Sequence, residues 1–279
     1  MRIFRVAIDG RPALAREVNG RLVALAGVPD DLSELAASLP FDPGAAPAGA
    51  DLGPPDQADL LAPIAPRKVV AIGLNYRDHI DETGMEAPKR PLVFAKFPSS
   101  IIGPGDAIVI DRAVTERVDW EVELAVVVGR MMKRVAEADA LGFVAAYTAA
   151  NDVSARDVQS GDGQWVRAKS LDTFCPLGPC LVTADEFGDP QAKKLWTRVN
   201  GETMQDSSTA EMVFDIAQLL AFCSGSFTLD PGDVVLTGTP WGCGEFMSPP
   251  RSLQDGDIVA TEVEGIGTIV SPVRDVGPA

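Results

Sequence analysis

A mixed α+β architecture, rich in strands and built on curled sheets, is the fold class this sequence predicts. Three observations carry it. Short apolar runs bounded by Gly, Pro, Asn or Asp recur along the chain and outnumber stretches of helical period. No regular βαβ alternation appears. The 279 residues, 46% of them hydrophobic, give enough interior for one sizeable domain plus a small accessory one. The sequence contains no internal repeat.

Residues 1–26 read as short strands, with Asn19-Gly20 between Arg16-Glu-Val18 and Arg21-Leu-Val-Ala-Leu25 giving a type I′ hairpin signal. Residues 40–66 are dense in Pro, Ala, Gly and Asp without a sustained period, which predicts a linker packed along a surface and ending near Pro66. The expected division is therefore a small N-terminal domain and linker over 1–65, then a larger domain over 66–279. A strand is predicted at Lys68–Gly73, followed by the charged segment Asn75–Arg90 and the apolar run Pro91–Lys96. Val135–Leu141 has helical composition, and Gly142–Asn151 reads as a strand leading into Asp152. Glu211–Cys223 spaces Met212, Ile216, Leu219 and Leu220 as an amphipathic helix does. Strands and turns make up the remainder, at Val234–Pro240, Asp255–Ala260 and Gly267–Val270.

The net charge of −16 argues against nucleic acid and anionic membrane as partners, since neither association gains from counterion release here. An anionic small-molecule substrate stays open, because a bound cation and a few Arg or Lys reverse the sign inside a pocket. No apolar stretch approaches a membrane span, and Met1-Arg-Ile-Phe-Arg5 lacks a continuous signal-peptide core. The four cysteines, at 175, 180, 223 and 243, form no CxxC pair. Reduced thiols and a cytoplasmic location are the expectation.

Asp119, Glu121 and Glu123 stand at period two before the apolar run Leu124–Val128, with Asp152 following in Ala149-Ala-Asn-Asp152. On a strand, Glu121 and Glu123 point to one side. Two like charges there either face solvent on one acidic face or, if buried, demand a counter-charge, which a divalent cation supplies. All-oxygen ligation suits a hard ion, Mg²⁺, Mn²⁺ or Ca²⁺. His79 is the only histidine, so any imidazole proton transfer near neutral pH falls to it. Glu82, three residues on, meets it if the stretch is a helical turn; the alternative is a surface histidine in a charged loop. Arg156, Gln159 and Lys169 are donors able to hold a carboxylate or an enolate oxygen, or else isolated surface residues. Thr237-Gly-Thr-Pro240 permits close backbone approach to a ligand, or is an ordinary strand exit. No P-loop, nucleophile elbow, dinucleotide fingerprint or H-E-x-x-H occurs, and one histidine with scattered cysteines lacks the usual zinc ligands.

Five segments in order, Ile72–His79, Asp119–Leu124, Asn151–Gln159, Lys169–Gly178 and Leu236–Pro240, together resemble the fumarylacetoacetate hydrolase family over roughly residues 66–275. The resemblance implies a β-rich catalytic domain with a distorted sheet roll, as a homodimer binding Mg²⁺ or Mn²⁺. It implies Glu121, Glu123 and Asp152 as metal ligands and His79 with Glu82 as the dyad that activates water or moves protons, on a segment that closes over substrate. Lys169 and Arg156 would steady the enolate with Gln159 assisting, and Tyr76 and Thr239 match positions near the substrate. Asn75 stands where the animal hydrolase has a further Asp ligand and is left out of the set. Glu82 follows the smaller acylpyruvase and oxaloacetate-decarboxylase branch.

In that family a 2-oxo acid chelates the metal, which stabilises an enolate. The first expectation is hydrolysis of a C–C bond in a 2,4-diketo, acylpyruvate-like acid, with His79 and Glu82 activating water. The alternative is a decarboxylase or enol–keto isomerase acting on a related 2-oxo acid such as oxaloacetate or 2-hydroxyhepta-2,4-diene-1,7-dioate. A non-catalytic protein holding a structural ion is a third reading, but it gives no reason for Lys169, Arg156 and a lone histidine to accompany the carboxylates.

Overall fold

The computed structural model describes residues 1–30 and 44–277. Its centre is the strand Val122–Val128, buried along its whole length. Val122, Leu124, Val126 and Val128 pack into one hydrophobic cluster, while Ala125 and Val127 enter a second. A strand covered on both faces reads as a continuous apolar run, which is why this segment shows so little polar alternation. Each Val or Leu so buried contributes about 1.5–3 kcal/mol.

Around that strand runs a twelve-stranded sheet. Val144–Asn151 lies antiparallel on one side, with Val122 opposite Asn151, and Val234–Leu236 lies antiparallel on the other. Val69–Gly73 then pairs parallel to Val234–Leu236, and Leu92–Lys96 closes that edge. In the other direction Cys175–Thr183 follows Val144–Asn151. Next comes the N-terminal strand Arg2–Ile8, with Ile3 opposite Leu181. A five-stranded sheet carries Lys194–Val199, Glu202–Ser208, Ile258–Val263, Gly267–Val276 and Ile108–Asp111. A third cluster, including Trp120, Val153, Ala168, Phe174 and Val259, joins elements of that sheet to the segments flanking the central strand. The strand-rich α+β expectation holds.

Asn19 and Gly20 both take positive φ, 51° and 75°, and join Arg11–Val18 to Arg21–Leu25 with Val18 opposite Arg21. That is the hairpin geometry their identities favour. The expected linker over 40–66 is more ordered than its composition suggests. Ala48–Gly53 pairs with Arg21–Leu25, and Leu60–Leu61 pairs with the N-terminal strand. Short partners satisfy their backbone groups without needing an apolar period of their own. Residues 40–43 lie outside the described residues.

The amphipathic helix spans Ile216–Ser226, starting later than Glu211. Asp215 caps it, accepting from the Gln218 backbone N–H at 2.8 Å while Gln218 Oε1 accepts from the Asp215 N–H. This reciprocal cap fixes the boundary, leaving Thr209–Glu211 as a separate 3₁₀ turn. Helical composition over 135–141 resolves into the short helix Glu137–Ala140 and a 3₁₀ turn at Leu141–Phe143. No helix among the described residues is long and apolar enough to cross a membrane, and all four cysteines are buried and free.

Candidate active site

The antiparallel pairing of the two central strands assembles the acidic centre. Just before Val122, the Glu121 carbonyl accepts from the Asp152 N–H at 2.8 Å, extending the Val122–Asn151 register by one step. Glu121 and Asp152 are thus cross-strand neighbours, and Glu123, two residues along, shares their side of the pleat. One carboxylate oxygen from each of Glu121, Glu123 and Asp152 lies within 4.8 Å of the other two, and all three residues are buried. The alternative of a solvated acidic face is excluded. Asp119 points elsewhere: it accepts from the Gly244 N–H at 2.7 Å and from Arg156 Nε at 2.8 Å.

Three cations meet these acids. Lys169, ending the helix Val166–Lys169, places Nζ 2.7 Å from Glu121 Oε2 and 3.0 Å from Asp152 Oδ2. Arg156 Nη2 lies 2.7 Å from Glu121 Oε1 and 2.8 Å from Asp119 Oδ2, and its Nη1 donates to Gln159 Oε1 at 3.0 Å. Lys96 lies 2.6 Å from Asp152 Oδ1 and also donates to the Lys169 carbonyl. Sequence reading did not single out Lys96. It ends an ordinary apolar strand, and only its burial beside the acids marks it.

Burial acts on these groups first, and the neighbours decide the sign. Burial alone raises the Glu121 carboxyl, but the Lys169 and then Arg156 charges reverse this and hold it at about 2. Glu123 goes the other way: burial, then the Asp152 and Glu121 charges, push it well above the usual carboxylate range. The hydrogen bond it accepts from the Gly238 N–H, at 2.7 Å, opposes this only weakly. Gly238 has φ 97°, and a Cβ there would lie 2.9 Å from the Asn75 Cβ. The close approach expected for Thr237–Pro240 therefore brings a backbone N–H onto an acid.

The three oxygens fit a hard divalent cation. Glu121, Glu123, Asp152 and Asp119 face Lys96, Lys169 and Arg156, so ionising all four acids leaves one negative charge unmatched by these cations. Asn75 is committed differently. Its Nδ2 donates to the Thr237 and Phe214 carbonyls at 2.8 and 3.0 Å, and its Oδ1 accepts from the Phe214 N–H.

His79 and Glu82 lie on the helix Arg77–Thr83, so the turn their spacing requires is present. His79 Nδ1 is 2.9 Å from Glu82 Oε2, and the other Glu82 oxygen accepts from the Gly242 N–H at 2.9 Å. The His79 ring meets Phe246 edge-on at 5.4 Å. His79, Glu121, Arg156, Gln159, Lys169 and Thr239 line one cavity of about 350 Å³. Its remaining walls include Ile72, Leu74, Met85, Phe94, Trp165 and Phe246. Tyr76 is fully buried in the core and does not line this cavity. Thr239 Oγ1 accepts at 2.9 Å from Gln205, another residue sequence reading passed over. Gln205 is fully buried; its Oε1 accepts from the Val122 N–H and from Thr197 Oγ1, both at 2.9 Å. It thereby ties the cavity loop to the start of the central strand.

Fold and site together define an enzyme scaffold of curled β-sheet that brings together a buried acidic triad able to hold a metal ion and a hydrogen-bonded His79–Glu82 pair. The family profile of the fumarylacetoacetate hydrolase C-terminal domain matches residues 68–274, and the chain belongs to that family. A mitochondrial oxaloacetate tautomerase of Rattus norvegicus is 49% identical over 222 residues, covering 79% of this chain and 71% of the relative. A fumarylacetoacetate hydrolase from Exiguobacterium antarcticum superposes with a TM-score of 0.88 at 39% identity, over 99% of this chain and 100% of that one. A 5-carboxymethyl-2-hydroxymuconate delta-isomerase from Mycobacterium smegmatis superposes with a TM-score of 0.82 at 40% identity, over 100% of both chains.

Proposed function

We propose that the protein catalyses enol–keto tautomerisation of a small 2-oxo acid, with oxaloacetate the first compound to test. The observation that carries this is the shared cavity: Glu121, Lys169, Arg156 and His79 all line it, and Glu123 and Asp152 lie buried beside Glu121. The relatives named as tautomerases and isomerases support the isomerase reading over the hydrolytic C–C cleavage expected from the dyad.

Glu121, Glu123 and Asp152 would hold Mg²⁺ or Mn²⁺, which when bound supplies Lewis-acid stabilisation of an enolate. Lys169 and Arg156 add positive charge beside the substrate's carboxylate and enolate oxygens. Glu82 holds His79 through Nδ1, which leaves Nε2 to carry the proton. In ketonisation the hydroxyl on carbon 2 loses a proton and carbon 3 gains one; no water is consumed and no bond between carbons breaks. The apolar side chains among the walls would limit the water that competes for the proton.

The test adds enol-form oxaloacetate to full-length protein with Mg²⁺ and follows loss of the enol absorbance, with pyruvate and CO₂ assayed in parallel. Acceleration over a metal-only control, sensitive to EDTA and without pyruvate or CO₂, is expected. Pyruvate and CO₂ released at the rate of enol loss would replace the reading with decarboxylation. Turnover of diketo acids alone, with water uptake, would replace it with hydrolysis.

A further inference from the structure

We propose that His79, Glu82 and Cys243 form a second metal site, which takes a thiophilic divalent cation such as Zn²⁺ and thereby silences the dyad. One ligand atom from each lies within 4.8 Å of the other two, with His79 and Cys243 buried and Glu82 partly so. The donors are nitrogen, oxygen and sulfur, whereas the triad offers oxygen alone. Thiolate and imidazole select Zn²⁺ or Co²⁺; an all-oxygen set selects Mg²⁺ or Mn²⁺. Two donor sets in one active site would sort ions by softness.

The loop that carries the thiol is clamped on both sides. A Cβ at Gly242 would sit 2.1 Å from the Met204 carbonyl oxygen, and one at Gly244 would sit 2.1 Å from that of Arg251. Trp120 Nε1 donates to the Gly242 carbonyl at 3.0 Å, and the Gly242 N–H holds Glu82 at 2.9 Å. The same glycine thus fixes the carboxylate and the backbone next to the thiol, so two of the three ligands are organised before any ion arrives. The 2.9 Å contact between His79 and Glu82 must open, and the Cys243 thiol must leave the Pro240 carbonyl to which it donates and the Gln205 amide from which it accepts. On binding, the ring nitrogen and the carboxylate each donate a lone pair. The Cys243 S–H bond breaks, its proton passes to solvent, and sulfur binds the ion without change of oxidation state. Three protein ligands leave a fourth tetrahedral position open. With its lone pair engaged, His79 has no free nitrogen left to accept a proton.

Binding at this site is independent of the tautomerase reading; only the loss of turnover rests on it. The experiment titrates Co²⁺ into full-length protein held in excess Mg²⁺ and reads the near-ultraviolet thiolate-to-cobalt band. A saturable band that Zn²⁺ abolishes is expected, and Cys243→Ser should remove it while leaving turnover in Mg²⁺ alone. Zn²⁺ should inhibit the unaltered protein, and Cys243→Ser should weaken that inhibition about 10- to 100-fold. X-ray absorption on the Co²⁺-bound unaltered protein should show one sulfur and one imidazole ligand, a readout that does not depend on the variant folding. Absence of sulfur ligation, or a band undiminished in Cys243→Ser, overturns the proposal. Failure to turn over any 2-oxo acid would overturn the tautomerase reading and leave the cobalt result standing.

Discussion

Lys96 Nζ lies 2.6 Å from one oxygen of Asp152 while Lys169 Nζ lies 3.0 Å from the other, so a single buried carboxylate carries two ammonium groups. The two lysines differ in what else they touch. Lys169 lines the cavity, whereas Lys96 is enclosed by Asp152 and the Val153 and Lys169 carbonyls. Lys96→Met should cost about 3–5 kcal/mol of stability, because it strands a buried charge. A divalent cation, replacing part of the lost charge, should narrow that gap. Urea denaturation with and without Mg²⁺ measures both, and a variant as stable as the parent in chelator would contradict the ion-pair account.

Glu123 supplies a pH test. Its folded-state carboxyl is raised above its ordinary value, so its stabilising contribution is full below the unfolded value and is lost as pH rises through the folded one. Glu123→Gln keeps the shape without the charge. In chelator the variant should match the parent near pH ~4 and be the more stable of the two at neutral pH. Its metal affinity should fall at the same time, as measured by calorimetry. A stability difference that stays constant with pH would refute the assignment.

The dyad predicts a graded response. On the proposed reading His79→Ala removes the proton carrier and should slow tautomerisation by about 10²–10⁴-fold. Glu82→Gln retains the ring but weakens its orientation, so its rate should fall between the variant and the parent. Neither residue belongs to the oxygen triad, and Mg²⁺ affinity should be unchanged in both. Equal rates for His79→Ala and the parent would remove His79 from the chemistry.

Gly73 keeps the cavity wall in place. A Cβ there would lie 2.2 Å from Trp165 Cζ3, and Trp165 in turn meets Phe94 edge-on at 5.4 Å. Gly73→Ala should cost about 1–3 kcal/mol through overpacking and push the indole out of position. KM should rise about tenfold or more, a loss of at least ~1.4 kcal/mol in binding, with kcat less affected. Unaltered steady-state kinetics would show that the wall tolerates the shift.

The acidic centre was legible because two local rules, alternation on a strand and i,i+3 spacing on a helix, happen to act on the acidic and imidazole side chains that the fold brings together. Glu121, Glu123, His79 and Glu82 all fall under one or the other. Lys96 and Gln205 fall under neither: their importance comes from cross-strand neighbours distant in sequence, Asp152 for the first and Val122, Thr197 and Thr239 for the second. The strand Cys175–Thr183 escaped because it contains two prolines, which argue against a strand in the interior of a sheet. Its neighbours at Lys194–Val199 and Glu202–Ser208 carried a usable signal in Asn200-Gly201. Those residues take φ 53° and 82°, as at Asn19-Gly20.

The acidic centre and part of the hydrocarbon wall of the cavity have separate origins, although Ile72 and Phe94 come from strands of the large sheet itself. Glu121, Glu123 and Asp152 are anchored at the middle of the great sheet, where any shift would disturb strands on both flanks. Met85, Trp165 and Phe246 come from short peripheral connections. Substitution in those connections can therefore reshape which molecule is admitted while the charged apparatus stays intact. A scaffold partitioned in this way gives descent a route to new substrates without reinventing the reaction.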